Sequence, residues 1–349
     1  MRAQLASILG QIVGGSVRDP AAGAPNKKRT PLHTAVCDRN CAADEVARLA
    51  AQMSQRLEER DYRGQTPLMC AIKRRRADVA RHLLAAGADP LATCDRGYTP
   101  LHLAIAFRDP EMLGVALGAA KNAGRAVDAV RVSPTVCAGE GLLHMAVLSK
   151  DLQVLLAVLR FAREAMPKAV SEAVPGAGAA AGGPSPIDAR NAKGITPLML
   201  ATMLGTKAAM AVLLRAGAAA DAAREPGGWT ALHKAAAHGK TGRMAVLLAG
   251  GANPDVAKAD GFTALHLAAL NNYTECVAML LCFDADLAPR TADAPALPEE
   301  HRARTALDLA ADGGFSRTAA LLRTAASPRA LDPPGAAAPQ PGVEAVLPE

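Results

Sequence analysis

A six-residue pattern returns eight times along the chain at intervals near 33 residues, and no other feature restricts the fold as strongly. It begins as Thr30-Pro31-Leu32-His33-Thr34-Ala35. It continues as Thr66-Pro67-Leu68-Met69-Cys70-Ala71 and Thr99-Pro100-Leu101-His102-Leu103-Ala104. A degenerate copy, Gly141-Leu142-Leu143-His144-Met145-Ala146, precedes Thr196-Pro197-Leu198-Met199-Leu200-Ala201 and Thr230-Ala231-Leu232-His233-Lys234-Ala235. Thr263-Ala264-Leu265-His266-Leu267-Ala268 and Thr305-Ala306-Leu307-Asp308-Leu309-Ala310 complete the series. Four of the intervals are 36, 33, 34 and 33 residues, and three longer ones, of 42, 55 and 42, mark units that carry insertions.

Each part of the pattern has a physical role. Thr accepts hydrogen bonds from the free N–H groups of a helix start. Pro at the next position loses nothing, because that N–H has no helical partner. Leu then turns inward, and Ala three residues on lets two helices approach closely. A second helix ends each unit in an apolar pair: Leu83-Leu84, Leu213-Leu214, Leu247-Leu248, Leu280-Leu281 and Leu321-Leu322. Gly87, Gly217 and Gly251 follow three of these pairs and suit a left-handed helix stop. Asp284 takes that place in another unit, where a less regular turn is expected. One such unit cannot bury its apolar stripe alone, but stacked neighbours can.

The period and the Thr-Pro-Leu-His motif resemble those of the ankyrin repeat family. The resemblance covers most of the chain, from Thr30 to about Ala326. It implies an all-α solenoid of stacked helix-turn-helix units joined by β-turn fingers. Residues 27–326 form the repeat domain in this reading, with insertions near 119–140, 167–190 and 284–304. Residues 1–26 are expected to supply a capping helix and linker, since Leu5, Ile8, Leu9, Ile12 and Val13 lie at helical spacing; a targeting presequence is the alternative. Residues 327–349, rich in Pro and Ala and without periodicity, are expected to be a disordered tail. The Pro/Gly-rich run within 167–190 either bulges from one stack or divides two, and one stack leaves fewer apolar faces uncovered.

Composition agrees with this reading and narrows the partners. Half of the residues are hydrophobic, yet aromatics make up only 3%, which suits short close-packed helices better than a sheet core. No apolar run is long enough to cross a membrane. Seven scattered cysteines, an odd number, favour free thiols and a reducing compartment, the cytoplasm first, with a nuclear site or a cytoskeletal or ciliary assembly as alternatives. A net charge of +6 favours a partner with an acidic surface, but only mildly, because both signs are interspersed.

Ankyrin-like proteins bind through finger tips and the ends of the first helices. Counting from each motif, the resemblance implies finger positions at Tyr62, Arg63, Gln65, Arg96, Tyr98, Lys193, Ile195, Trp229, Asp260 and Phe262. First-helix ends are Lys73, Arg74, Phe107, Met203, His238, Leu270 and Asn271. Five of the nine aromatics fall in this set, and aromatics with Arg dominate interface hot spots. Tyr98, Trp229 and Phe262 are therefore expected to be anchors; the alternative is that they pack between fingers and stiffen the stack.

No catalytic constellation stands out. Five of the eight histidines (His33, His102, His144, His233 and His266) occupy the motif slot, where the resemblance implies hydrogen bonds between repeats. His33, Cys37 and Cys41 lie at helical spacing without a fourth metal ligand. No phosphate loop or nucleophile elbow is present, and the paired carboxylates Glu58-Glu59 and Glu299-Glu300 diverge on a helix. The run Lys73-Arg74-Arg75-Arg76 reads as a solvated helix end that complements the helix dipole, rather than as a base-reading pattern. Neither a cofactor, a metal nor a small-molecule substrate is expected. The leading expectation is a non-catalytic module holding another protein. A structural subunit of a cytoskeletal or ciliary assembly, or the substrate-targeting subunit of an enzyme such as a ubiquitin ligase, are the alternatives.

Overall fold

Each repeat pattern becomes a pair of antiparallel helices in the computed structural model, which describes residues 29–95, 97–124, 141–165, 185–224, 226–292, 298 and 301–326. The expected capping helix at 1–26, the tail at 327–349, Arg96, Cys137 and the middle parts of the three insertions lie outside the described residues. The pairs are α1 (Pro31–Cys37) with α2 (Ala43–Gln52), α3 (Pro67–Lys73) with α4 (Ala77–Ala85), and α5 (Pro100–Ala106) with α6 (Pro110–Asn122). Next come α7 (Leu142–Ser149) with α8 (Leu152–Ala165) and α9 (Pro197–Leu204) with α10 (Lys207–Arg215). The last are α11 (Ala231–Ala237) with α12 (Thr241–Ala249), α13 (Ala264–Leu270) with α14 (Thr274–Cys282), and α15 (Ala306–Asp312) with α16 (Ser316–Ala326). Extended pairing among the described residues is confined to an isolated antiparallel bridge between Arg224 and Trp229.

The motif starts each first helix as its chemistry demands. Thr30, Thr66, Thr99, Thr196, Thr230 and Thr305 hold extended backbone, and each hydroxyl accepts the N–H three residues on, at 3.2–3.4 Å. The Ala of the motif then sits in the helix–helix contact. Ala71, Ala104, Ala146, Ala201, Ala235, Ala268 and Ala310 are all buried.

Stacking is continuous from pair to pair. First helices pack on first helices, α1 on α3 through α13 on α15, and second helices on second helices, α2 on α4 through α14 on α16. The pairs flanking 166–184 are included, since α7 contacts α9 and α8 contacts α10. Seventeen residues after each motif start from the second unit onward, Leu83, Ala116, Val158, Leu213, Leu247, Leu280 and Leu322 are no more than 1% exposed. Truncating a leucine at such a site to Ala costs about 2–5 kcal/mol. This recurring slot is one of the contacts that knit adjacent units together, beside the packing of first helices on one another.

Left-handed turns close the second helices. Gly87, Gly217 and Gly251 take positive φ, as their position after the apolar pair implies. The turn at Asp284 is as regular as theirs, contrary to the expectation from its side chain. Asp284 adopts φ +56°, and the N–H of Ala285 reaches back to the Leu280 carbonyl just as that of Ala252 reaches Leu247. Asp tolerates this region better than most residues, so the backbone pattern prevails over the missing glycine.

Candidate interaction surface

The fingers between pairs are tight loops built on one plan. The N–H of Asp61 donates to the Gln65 carbonyl, that of Asn191 to Ile195, and that of Lys258 to Phe262. A turn inside each loop ends on a glycine with positive φ, such as Gly261 at +78°. A Cβ built there would lie 2.6 Å from the backbone nitrogen of Ala292, so both conformation and space require glycine.

Motif histidines tie these fingers to the helices. The Nε2–H of His33 donates to the Gln65 carbonyl at 2.9 Å. His144 donates to Ile195 at 2.8 Å, His233 to Phe262 at 3.1 Å, and His266 to Arg304 at 3.2 Å. That tautomer leaves Nδ1 as an acceptor, and the motif Thr hydroxyl donates to it at 2.8–2.9 Å in His33, His102, His233 and His266. Both ring nitrogens of His33 are thus engaged in structural bonds. Burial pulls the pKa of His144 and of His233 down to about 4 and lowers that of His266, so these rings are neutral near pH 7.

A second set of bonds between fingers left no obvious mark in the motif. The Glu58 carboxylate accepts the N–H of Asp89 at 2.6 Å, and Asp188 that of Ala219 at 2.9 Å. Asp221 accepts from Asn253 at 3.0 Å and Asp255 from Asp286 at 2.7 Å. The acids stand eight or nine residues before the following Thr, a recurrence readable in the sequence once the fingers are known. Burial raises the pKa of Glu58, Asp188 and Asp221.

The expected contact residues divide into two groups. Tyr98 and Phe262 are each 4% exposed, and Ile195 is 7% exposed. Their side chains lie in the core, which corrects the expectation that they face a partner. Tyr98 meets His102 edge-on with ring centres 6.4 Å apart, and Phe262 meets His266 at 5.9 Å. A residue four before a helical histidine lies over that ring, so an aromatic there buttresses the staple.

The second group stays outside the core. Tyr62, Arg74, Lys193, His238 and Asn271 are exposed, while Arg63, Gln65, Lys73, Phe107, Met203, Trp229, Asp260 and Leu270 are half-buried. Tyr62 has the Arg63 guanidinium 5.1 Å and that of Arg29 5.6 Å from its ring centre. Trp229 touches His233 edge-on at 6.3 Å, with the Lys234 ammonium 3.7 Å and the Lys258 ammonium 4.1 Å from its ring. Lys258 also pairs with Asp260 at 2.8 Å. Burial lowers the pKa of Lys73.

The basic run at 73–76 is more structural than a solvated helix end. Arg76 donates to the carbonyls of Asp38 at 2.8 Å and Cys41 at 2.7 Å in the preceding unit, and Arg75 to that of Phe107 at 3.0 Å in the next. Arg243 repeats the device on the Thr202 carbonyl at 2.8 Å. Sequence reading missed Arg224, Lys234 and Lys258, the cations around Trp229. The available signal was Lys234, which interrupts a slot that is uncharged in the seven other copies of the motif.

Comparison with known proteins places these features in a family. Models of ankyrin repeats match residues 49–104, 143–256 and 232–281. The B-cell lymphoma 3 protein homolog of Mus musculus is 37% identical over 92 residues, which is 26% of this chain and 20% of that protein. The chain therefore aligns with about a fifth of that relative's length. A solved structure of the ankyrin repeat domain of Bcl-3, described as a unique member of the IkappaB protein family, is similar at 24% identity with a TM-score of 0.46. That match covers 84% of this chain and 98% of the solved one.

Proposed function

Since the chain belongs to the ankyrin repeat family, we propose that it is a non-catalytic interaction module which grips a partner protein with its finger tips and first-helix ends. The observation that carries this reading is a division of labour among the motif-adjacent residues. Histidines, buried aromatics and finger carboxylates are used up in holding the units together. Tyr62, Trp229, Met203, His238, Leu270 and Asn271, on the second, fifth, sixth and seventh units, remain at least partly exposed. Large side chains held on rigid supports at low entropic cost are what a protein interface needs. No described helix is long and apolar enough to cross a membrane. A cytoplasmic location is part of the proposal, on the strength of the cysteine usage.

Affinity capture followed by mass spectrometry tests it, comparing the wild type with a Tyr62→Ala, Trp229→Ala, Leu270→Ala triple variant. None of the three residues is fully buried, so circular dichroism should show retained helicity. A specific partner lost by the variant supports the proposal. Capture of the same proteins by the variant and the wild type refutes it.

A further inference from the structure

Positive charge accumulates around Trp229. The finger acids nearby are already engaged: Asp188 and Asp221 accept backbone N–H groups of the next unit. Arg224 spends its Nε–H on the Lys193 carbonyl at 2.8 Å, while its backbone N–H pairs with the Trp229 carbonyl at 2.8 Å. Lys234 lies 3.7 Å from the indole ring, beside Lys258 at 4.1 Å. Among the described residues only Lys258 of these cations has a carboxylate within ion-pair distance, that of Asp260.

Lys234 is the informative member. Its slot, four residues after the motif Thr, holds Thr34, Cys70, Leu103, Met145, Leu200, Leu267 and Leu309 in the other units. Burial together with the charges of Arg224 and Lys258 lowers its pKa, while the indole face beside it favours the charge. An uncharged residue there would fit the repeat better. Among the described residues its one favourable electrostatic contact is with the indole ring, and no carboxylate lies within ion-pair distance of it.

We infer that the Arg224–Lys234 pair beside Trp229, with exposed Lys193 on the finger whose backbone Arg224 holds, is the docking site for an acidic segment of a partner protein. The inference rests on the interaction-module reading above and gives the partner its chemistry. Carboxylates set along an extended segment would meet Lys193, Arg224 and Lys234, which belong to the fifth finger, the sixth finger and the sixth first helix. Two ammonium groups already lie against the indole ring, so stacking of a nucleobase on it, the mode single-stranded nucleic acids use, is disfavoured.

Trp229 is the sole tryptophan of the chain, so its emission reads this site directly. The titrants are a synthetic oligoglutamate peptide, an oligolysine peptide of equal length and a thymidine oligonucleotide. Oligoglutamate should change the emission saturably at low salt and weaken about tenfold at high salt. The Arg224→Glu, Lys234→Glu double variant should weaken the response by about tenfold or more with helicity intact, while Lys234→Arg retains it. No saturable response to oligoglutamate, an equal response from the double variant, or tighter binding of the oligonucleotide would each overturn the assignment. In affinity capture, a double variant that keeps the wild-type partner sinks this site alone, whereas loss in the triple variant above still supports the module.

Discussion

Gly141→Thr should stabilise the protein, because the fourth unit lacks the hydroxyl that the other seven supply. Gly141 has φ −73° and ψ 171°, within or next to the range of the capping threonines, whose φ runs from −72° to −96°. A Cβ added there meets nothing nearer than His144 Nδ1 at 3.6 Å, an ordinary contact. His144 Nε2–H donates to the Ile195 carbonyl, so Nδ1 presents a lone pair, and that buried atom has no hydrogen-bond partner among the described residues. In the Thr units the equivalent nitrogen receives the hydroxyl at 2.8–2.9 Å. Three contributions add. Satisfying one buried acceptor is worth about 1 kcal/mol. Replacing Gly as a cap gives a few tenths. Restricting the unfolded chain gives roughly another 0.5 kcal/mol. The expected gain is about 2 kcal/mol, read from urea unfolding followed by circular dichroism at neutral pH. Gly141→Ala gains the chain-entropy part without the hydroxyl, so Thr should exceed Ala by about 1 kcal/mol or more. If the Thr variant is no more stable than the Ala variant, the reasoning about His144 is wrong.

Three further outcomes are expected. The two histidines with pKa values near 4 bind protons less readily folded than unfolded, where the value is about 6.5; their contribution is complete above about pH 6.5 and lost as pH falls towards 4. Each should cost about 2 kcal/mol at pH 5, measured by urea unfolding at pH 7 and pH 5, and His233→Met should remove one share; a stability that rises on acidification would contradict this. Gly261→Ala should destabilise by about 2 kcal/mol or more, because positive φ and the Ala292 backbone both oppose a Cβ, and an unchanged unfolding midpoint would count against the finger geometry. Cys37 should react with iodoacetamide faster than exposed Cys282 at pH 7, since a hydrogen bond with Cys70, helped by Arg29 and Arg74, pulls its thiol down to about 6; equal rates by peptide mapping would refute it.

What could be read from the sequence was whatever the repeat enforces. Period, caps and Leu/Ala burial follow from one helical pair having to match its neighbour, so each unit carries the same answer and eight copies remove ambiguity. The surface is different. A residue just before the motif Thr is subject to two demands, support of the following histidine ring and contact with a partner, and residue type does not separate them. Tyr98 and Phe262 satisfied the first demand by going into the core, whereas Trp229, in the same register, kept one side towards two lysines. The difference lies in neighbours five and twenty-nine residues away, the second of which no motif count from a single unit contains.

A repeat does offer a better signal for function than residue type, namely departure from its own register. Asp284 departs from glycine yet reproduces the turn, so that departure is absorbed by the backbone. Gly141 departs from Thr and leaves a buried nitrogen without a partner among the described residues, so that one is a local loss of stability. Lys234 departs from seven uncharged residues by adding a charge next to other cations, and nothing within the described chain compensates it with a carboxylate. Only the third kind points to an external group, because it places an added charge beside like charges at a half-buried surface position. Consistent with this, Lys234→Leu should weaken oligoglutamate binding while leaving stability within about 1 kcal/mol, since relieved repulsion offsets the lost contact with the indole; removal of a purely structural lysine would destabilise without touching binding.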